Sequence, residues 1–202
     1  MPLPQARQSE VRRQRILQNA LALFLFKGYF NTSLRDIIAV ASVGTGTFYN
    51  YFADKEDVLK ALLEGFAAEI IENISNYYFL EQDLVERFVE TKRITMEVFA
   101  ENKELSELYS RVAGSSEVID QCLKVFEDKL LDFYCRNIEY GIRRGVFTEV
   151  PVYPVACAIL ATEKYLLYKW IVQKDITRDE MIRMVVSIHR TLAEGLRKRP
   201  AQ

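Results

Sequence analysis

Among the 202 residues, the run Thr45-Gly46-Thr47-Phe48-Tyr49-Asn50-Tyr51-Phe52 is where residue types and spacing point to a definite chemistry. Wound as a short helix, it brings Phe48 and Phe52, four apart, onto one face. Thr45, Gly46, Thr47, Tyr49 and Asn50 remain on the other, small or polar and carrying a few hydrogen-bond donors. A helix that enters the major groove of duplex DNA needs such a face, because the base edges there are read by small polar groups at close range. Gly46 costs a helix interior about 1 kcal/mol relative to alanine. That cost has a purpose if the backbone must approach another surface closely.

Catalytic chemistry, by contrast, lacks its parts. There is one histidine, His189, and the three cysteines Cys122, Cys135 and Cys157 are too far apart to form a Cys-x-x-Cys pair. No Ser-His-Asp set, metal-ligand spacing or phosphate-cradling glycine loop is present. We therefore expect no metal, no cofactor and no enzymatic activity. An odd number of cysteines fits reduced thiols that serve as small buried hydrophobes in a cytoplasmic protein. The beginning, Met1-Pro2-Leu3-Pro4-Gln5, has no apolar signal-peptide stretch. The longest apolar runs, 20–26 and 155–161, fall short of the roughly 18–20 residues that span a bilayer.

The elements that must hold the 45–52 segment are helical. Glycine and proline are scarce, at 8 and 5 residues, and the segments between them carry helical rather than alternating periodicity. A first helix is expected over 9–27, with Ile16, Ala20, Leu23 and Phe24 on one face and Gly28 as its stop. Thr32 or Ser33 caps a second, carrying Leu34, Ile37, Ile38 and Ala41. After the turn Ser42-Val43-Gly44 a third runs over 45–51. A fourth starts behind Asp54 and carries Val58, Leu62, Phe66, Ile70 and Ile74. Five more are expected over 81–101, 104–113, 115–144, 152–173 and 177–198. The chain is all-α, about nine helices, with no convincing strand. Two short helices joined by a three-residue turn have helix-turn-helix spacing. The expected division is 1–53, a three-helix DNA-binding domain, and 54–202, a helical lobe.

Charge is distributed to match. The whole chain has a formal net charge of −1. Residues 1–53 hold six basic residues against two acidic, a net of +4, which leaves −5 on the remainder. Arg7, Arg12, Arg13 and Arg15 cluster before Ile16, where a helix end can lie along the DNA backbone or minor groove.

The ordered set Arg15-Ile16-Leu17, Ala22-Leu23-Phe24, Gly28-Tyr29, Thr32-Ser33, Ile37-Ile38-Ala39, Gly46-Thr47-Phe48-Tyr49, Tyr51-Phe52 and Asp54-Lys55-Glu56 resembles the TetR/AcrR family of bacterial transcription regulators. The resemblance covers about a quarter of the chain with spacing intact. It departs from the family pattern in the turn, where the common glycine is Ser42 and the usual capping serine is Gly44. By this resemblance Thr32, with Ser33 beside it at the helix start, Tyr49, Tyr51 and Lys55 contact DNA phosphates. Thr45, Gly46, Thr47 and Asn50 approach bases. Thr32 is equally a helix cap, and Tyr51 equally a core aromatic with its hydroxyl at the surface.

The resemblance also implies that the last two helices pair with their copies in a homodimer, with Ile159, Leu166, Val185, Ile188 and Leu192 in the interface. The alternative is that these helices are the lobe's own core. A palindromic operator on double-stranded DNA favours the dimer. A small apolar or aromatic effector is expected between the middle helices, among Phe66, Phe99, Tyr109, Phe126, Tyr134, Tyr165 and Trp170. Arg111, Glu163 and Lys164 are the polar candidates to orient it. The implied function is a ligand-responsive repressor. The other readings are a dimeric small-molecule-binding or scaffold protein with a vestigial helix-turn-helix, and an all-α enzyme.

Overall fold

The computed structural model describes residues 5–77 and 83–198. Residues 1–4, which include the prolines of the beginning, 78–82, where the fifth helix was expected to start, and 199–202 lie outside the described residues. The described helices are α1 (Gln5–Lys27), α2 (Leu34–Val40), α3 (Thr45–Tyr49), α4 (Lys55–Tyr77), α5 (Leu84–Glu101), α6 (Lys103–Val112), α7 (Glu117–Arg143), α8 (Val152–Tyr168) and α9 (Arg178–Leu196). Extended pairing among the described residues is confined to one bridge, Phe147 with Arg197, which ties the end of α9 to the loop after α7. None of the described helices is long and apolar enough to cross a membrane.

Local chemistry sets the helix ends. Gly28, at φ 87°, takes the left-handed turn that stops α1. Ser33 caps α2 in a capping box with Asp36, and Thr177 caps α9 in another with Glu180. The first helix, expected from residue 9, starts at Gln5, and two helix ends also differ from expectation. The helix expected over 45–51 closes at Tyr49, because the Asn50 and Tyr51 amides bond three residues back, to Thr47 and Phe48, and tighten the last turn. The helix expected over 152–173 ends at Tyr168 and continues as one π-helical turn, Lys169–Gln173, closed by Lys174 at φ 59°.

In the body, α5 lies along α9, α4 packs against α7 and α5, and α7 against α8. The head formed by α1–α3 meets the body where α1 touches α4 and α6. Helix α4 therefore belongs to both regions: its first turn packs under the head and its middle lies in the body core.

This packing decides how much of each expected surface residue is exposed. Ile159, Leu166 and Val185 are buried in the chain's own core, each at 2% exposure or less. The reason is that α8 and α9 must first cover α7 and α5 of the same lobe. Leu192 is half-buried, while Ile188 is 41% exposed and shares the outward side of these helices with Met184, Tyr165 and Tyr168. Phe66, Phe99, Tyr109 and Phe126 pack ring against ring, with centroids 4.9–6.3 Å apart, in an aromatic cluster at the centre of the lobe. Tyr134 is buried, its hydroxyl donating to Glu163 at 2.6 Å. Tyr165, at 60% exposure, faces away from this cluster, and Trp170 lies half-buried in the π-turn. Arg111 is spent on an exposed pair with Glu107 one turn before it, so it orients nothing inside.

Candidate nucleic-acid interface

Helix α3 is anchored by Phe48, which has no exposed surface and sits in a core shared with Ile16, Ala20, Phe24, Ile37 and Phe52. The anchor leaves Thr45, Gly46, Tyr49 and Asn50 exposed and Thr47 half-buried at the rim. Tyr49 is 55% exposed, and its ring meets Phe48 edge-on at 5.8 Å. The phenol is thereby directed without being covered. A Cβ added at Gly46 would meet nothing within 4 Å, and its φ is not in the left-handed range. Nothing in the chain's own packing asks for glycine at this position.

The turn before α3 absorbs the departures at 42 and 44. Ser42 takes φ 50°, a left-handed conformation that is mildly unfavourable for a residue with a Cβ. Arg15 reaches across from α1 and donates to the Ser42 carbonyl at 3.3 Å. Gly44 is the N-cap of α3, with no side-chain cap bond. Arg13 lies over the Phe52 ring, 5.5 Å from its centre. Of the four clustered arginines, two therefore hold α1 against the helix-turn-helix, while Arg7 and Arg12 are exposed to solvent. The structural part played by Arg13 and Arg15 depends on how α1 crosses the turn, which spacing alone does not reveal.

Of the two expected caps of the second helix, Ser33 is the one used. Thr32 is 2% exposed, and its hydroxyl donates inward to the Gly28 carbonyl at 2.8 Å, with the Leu23 carbonyl at 3.3 Å. It does not cap α2, and its hydroxyl is turned away from solvent. Ser33 is the cap, and it is exposed. The Asp36 carboxylate takes the Ser33 amide at 2.8 Å, the Ser33 hydroxyl at 2.8 Å and the Lys27 ammonium at 2.7 Å. Lys27 and Ser33 hold that carboxyl well below the usual range. The positive end of α2 is thus already occupied by an anion from its own first turn.

Lys55 also faces inward. Its ammonium donates to the carbonyls of Tyr29 at 2.9 Å and Thr32 at 3.1 Å, and lies 4.3 Å from the centre of the Tyr29 ring. Tyr29 in turn donates to Glu56 at 3.1 Å, and burial together with that carboxylate raises its phenol. Tyr51 is half-buried, with its hydroxyl 3.1 Å from the Ser9 hydroxyl on α1. Lys55 and Tyr51 are therefore braces of the head, and any contact they make outside it uses what these bonds leave over. The structure brings Thr45, Gly46, Thr47, Tyr49 and Asn50 together on one polar surface, and leaves Thr32 buried at the junction of α1 and α2.

Comparisons with known proteins agree with this geometry. Residues 16–62, which span α1 through the start of α4, match the model of "Bacterial regulatory proteins, tetR family". A solved TetR-family transcriptional regulator from Syntrophomonas wolfei is 68% identical, covering 93% of this chain and 97% of that one with a TM-score of 0.91. The HTH-type transcriptional regulator HbdR of Aromatoleum is 40% identical over 65 residues, which are 30% of this chain and 28% of HbdR. The chain's match to that relative thus spans little more than a quarter of its length. The transcriptional regulator FadR from Bacillus subtilis, solved in complex with stearoyl-CoA, shares the fold at 19% identity with a TM-score of 0.75, covering 93% of this chain and 99% of that one. A polar helix face over a basic head, in a helix-turn-helix that matches the family model, together with a 68% identical relative matched over nearly all of both chains, makes this chain a member of the TetR family of bacterial transcriptional regulators.

Proposed function

We propose that the chain works as a homodimeric, cytoplasmic repressor whose two α3 helices enter successive major grooves of a palindromic operator. The observation that carries this reading is the exposed face Thr45, Gly46, Tyr49 and Asn50 above the buried Phe48. One five-residue helix reads too few bases to be specific, and a two-fold pair doubles the site. In the division proposed, 1–53 binds DNA and 54–202 binds effector and partner, with α4 joining them. Pairing would run through the outward sides of α8 and α9, where Met184, Ile188, Tyr165 and Tyr168 expose large apolar surface. These take the place of Ile159, Leu166 and Val185.

Release would be driven by a small effector in the lobe, as the stearoyl-CoA complex of the Bacillus subtilis relative supports for a protein of this fold. Helix α4 offers the route. Phe66, in its middle, belongs to the aromatic cluster, and Lys55 and Glu56, at its start, hold the loop before α2. A ligand that parts the rings moves α4, and with it the spacing of the two α3 helices. The effector must bind the DNA-incompetent arrangement more tightly for this to work.

The test is selection from random duplexes with the full chain, followed by affinity measurements across salt concentrations. Enrichment of a palindrome, with affinity falling steeply as salt rises, is the expected result. No enrichment even at low salt would overturn the reading in favour of a scaffold.

A further inference from the structure

A buried polar cluster lies where α5, α7, α8 and α9 meet. Lys92, on α5, is 2% exposed, and its ammonium sits 3.1 Å from the centre of the Tyr134 ring and 5.7 Å from that of Phe88. Its carboxylate neighbour is Glu163 on α8, with Nζ and Oε1 3.9 Å apart, beyond hydrogen-bonding distance. The other carboxylate oxygen, Oε2, accepts from Tyr134. Glu163 Oε1 is buried with no hydrogen-bond partner among the described residues. His189, on α9, is 1% exposed and faces the Val185 carbonyl through Nδ1 at 2.8 Å. A carbonyl only accepts, so Nδ1 carries the proton and Nε2 presents a bare lone pair. Nε2, too, has no partner among the described residues. Burial and the Lys92 charge lower the His189 pKa to about 4, which keeps the ring neutral.

Such a cluster does not serve stability. Each unpaired buried acceptor is a cost to the fold, and buried ion pairs are commonly replaced by apolar groups without loss. It adjoins the aromatic cluster through Tyr109 and Tyr134: burial and the Glu163 carboxylate raise the Tyr134 phenol, while burial, the Glu127 carboxylate to which it donates and, least, Glu163 raise that of Tyr109. Two acceptors lack a donor, and one cation lacks a hydrogen-bond acceptor. A ligand carboxylate would add a third acceptor and a second negative charge. A ligand amine would place a second cation beside Lys92. A hydroxyl satisfies both needs, since it accepts through its oxygen and donates through its hydrogen.

We propose that Lys92, Glu163 and His189 form the polar end of the effector site, and that the effector is a neutral, hydroxyl-bearing apolar molecule. Its oxygen accepts from Lys92 and its O–H donates to Glu163 Oε1 or His189 Nε2, while its apolar body replaces contacts among Tyr109, Phe126 and their neighbours. This rests on the reading of the chain as ligand-responsive.

The experiment titrates the full-length protein calorimetrically with 2-naphthol, 2-naphthoate and naphthalene, and repeats the titrations on Lys92→Met and the isosteric Glu163→Gln. Each compound is also tested for its effect on affinity for a selected duplex. We expect 2-naphthol to bind at least about tenfold more tightly than either analogue. Both variants should lose that preference while binding naphthalene as before, with Glu163→Gln reporting even if Lys92→Met folds poorly. The proposal is overturned if 2-naphthoate binds as tightly, if the preference survives both variants, or if folded protein takes up no 2-naphthol at about 1 mM. That last result would mean that water alone fills the cluster. If 2-naphthoate or naphthalene, and not 2-naphthol, weakens DNA binding, the ligand response stands and this inference falls. If 2-naphthol binds as expected but DNA affinity does not change, the cluster is a hydroxyl site and the ligand-response reading falls.

Discussion

The ammonium of Lys55 lies 4.3 Å from the centre of the Tyr29 ring and donates to the carbonyl of that same residue at 2.9 Å. The first residue of α4 thus closes the loop between α1 and α2 from below. With Glu56 accepting from the Tyr29 hydroxyl, the start of α4 holds the head by a cation, a carboxylate and an aromatic face at once.

Lys55→Met removes both hydrogen bonds, leaving the Tyr29 carbonyl with the Thr32 amide alone and the Thr32 carbonyl without its lysine donor. The expected loss is about 1–2 kcal/mol of stability, since hydrogen bonds to charged groups are worth roughly that much at a half-exposed site. Urea denaturation reads it. A change within experimental error would mean that the brace contributes nothing to the fold.

Gly46→Ala separates folding from recognition. The added methyl meets no atom of this chain, so the helix should gain up to about 1 kcal/mol. The same methyl stands on the face proposed to approach DNA. Thermal melting should therefore shift upward while affinity for a selected duplex falls. Unchanged affinity would show that α3 does not approach DNA at residue 46.

His189 is the single histidine of the chain, so its ring protons give one unambiguous NMR titration. In the unfolded chain it takes a proton near pH 6.5, and in the fold only near 4. Between those values the unfolded state binds more protons, so stability contributed by the neutral ring is full above about 6.5 and is lost as pH falls towards 4. Burial also raises the Glu163 pKa, with Lys92 and the Tyr134 hydrogen bond pulling the other way. The resonance should stay at its neutral position from about pH 7 to pH 5. A midpoint near 6.5 in the folded protein would contradict the burial of this ring.

The outward side of α9 gives a contrast between neighbours. Ile188→Asp places a charge on exposed surface and should leave the monomer folded while weakening self-association. Val185→Asp buries an unpaired charge in a position with no exposed surface and should unfold the lobe. Sedimentation, with circular dichroism on the same samples, distinguishes the two. A dimer that survives Ile188→Asp would move the proposed interface elsewhere.

The helix-turn-helix was legible because its pattern is local. Phe48 and Phe52 recur at helical spacing, and the polar residues between them have only one face to occupy. Thr32 was not legible, since its hydroxyl turns inward to carbonyls at 23 and 28 whose positions depend on the left-handed turn at Gly28. No periodicity tells which side of α8 or α9 meets the same lobe. Lys92 illustrates the opposite failure. A lysine in an amphipathic helix reads as surface, and it becomes core only because α8 and α9 close over it.

The most direct test is the affinity of the full chain, with Tyr49→Phe and Asn50→Ala, for a selected duplex and a scrambled one at several salt concentrations. Loss of the Tyr49 hydroxyl should weaken both duplexes alike, as expected of a phosphate contact. Loss of the Asn50 amide should weaken the selected duplex alone, by about 1–3 kcal/mol, or change the preferred base. If both variants bind both duplexes as tightly as the parent chain, α3 is not the helix that meets DNA.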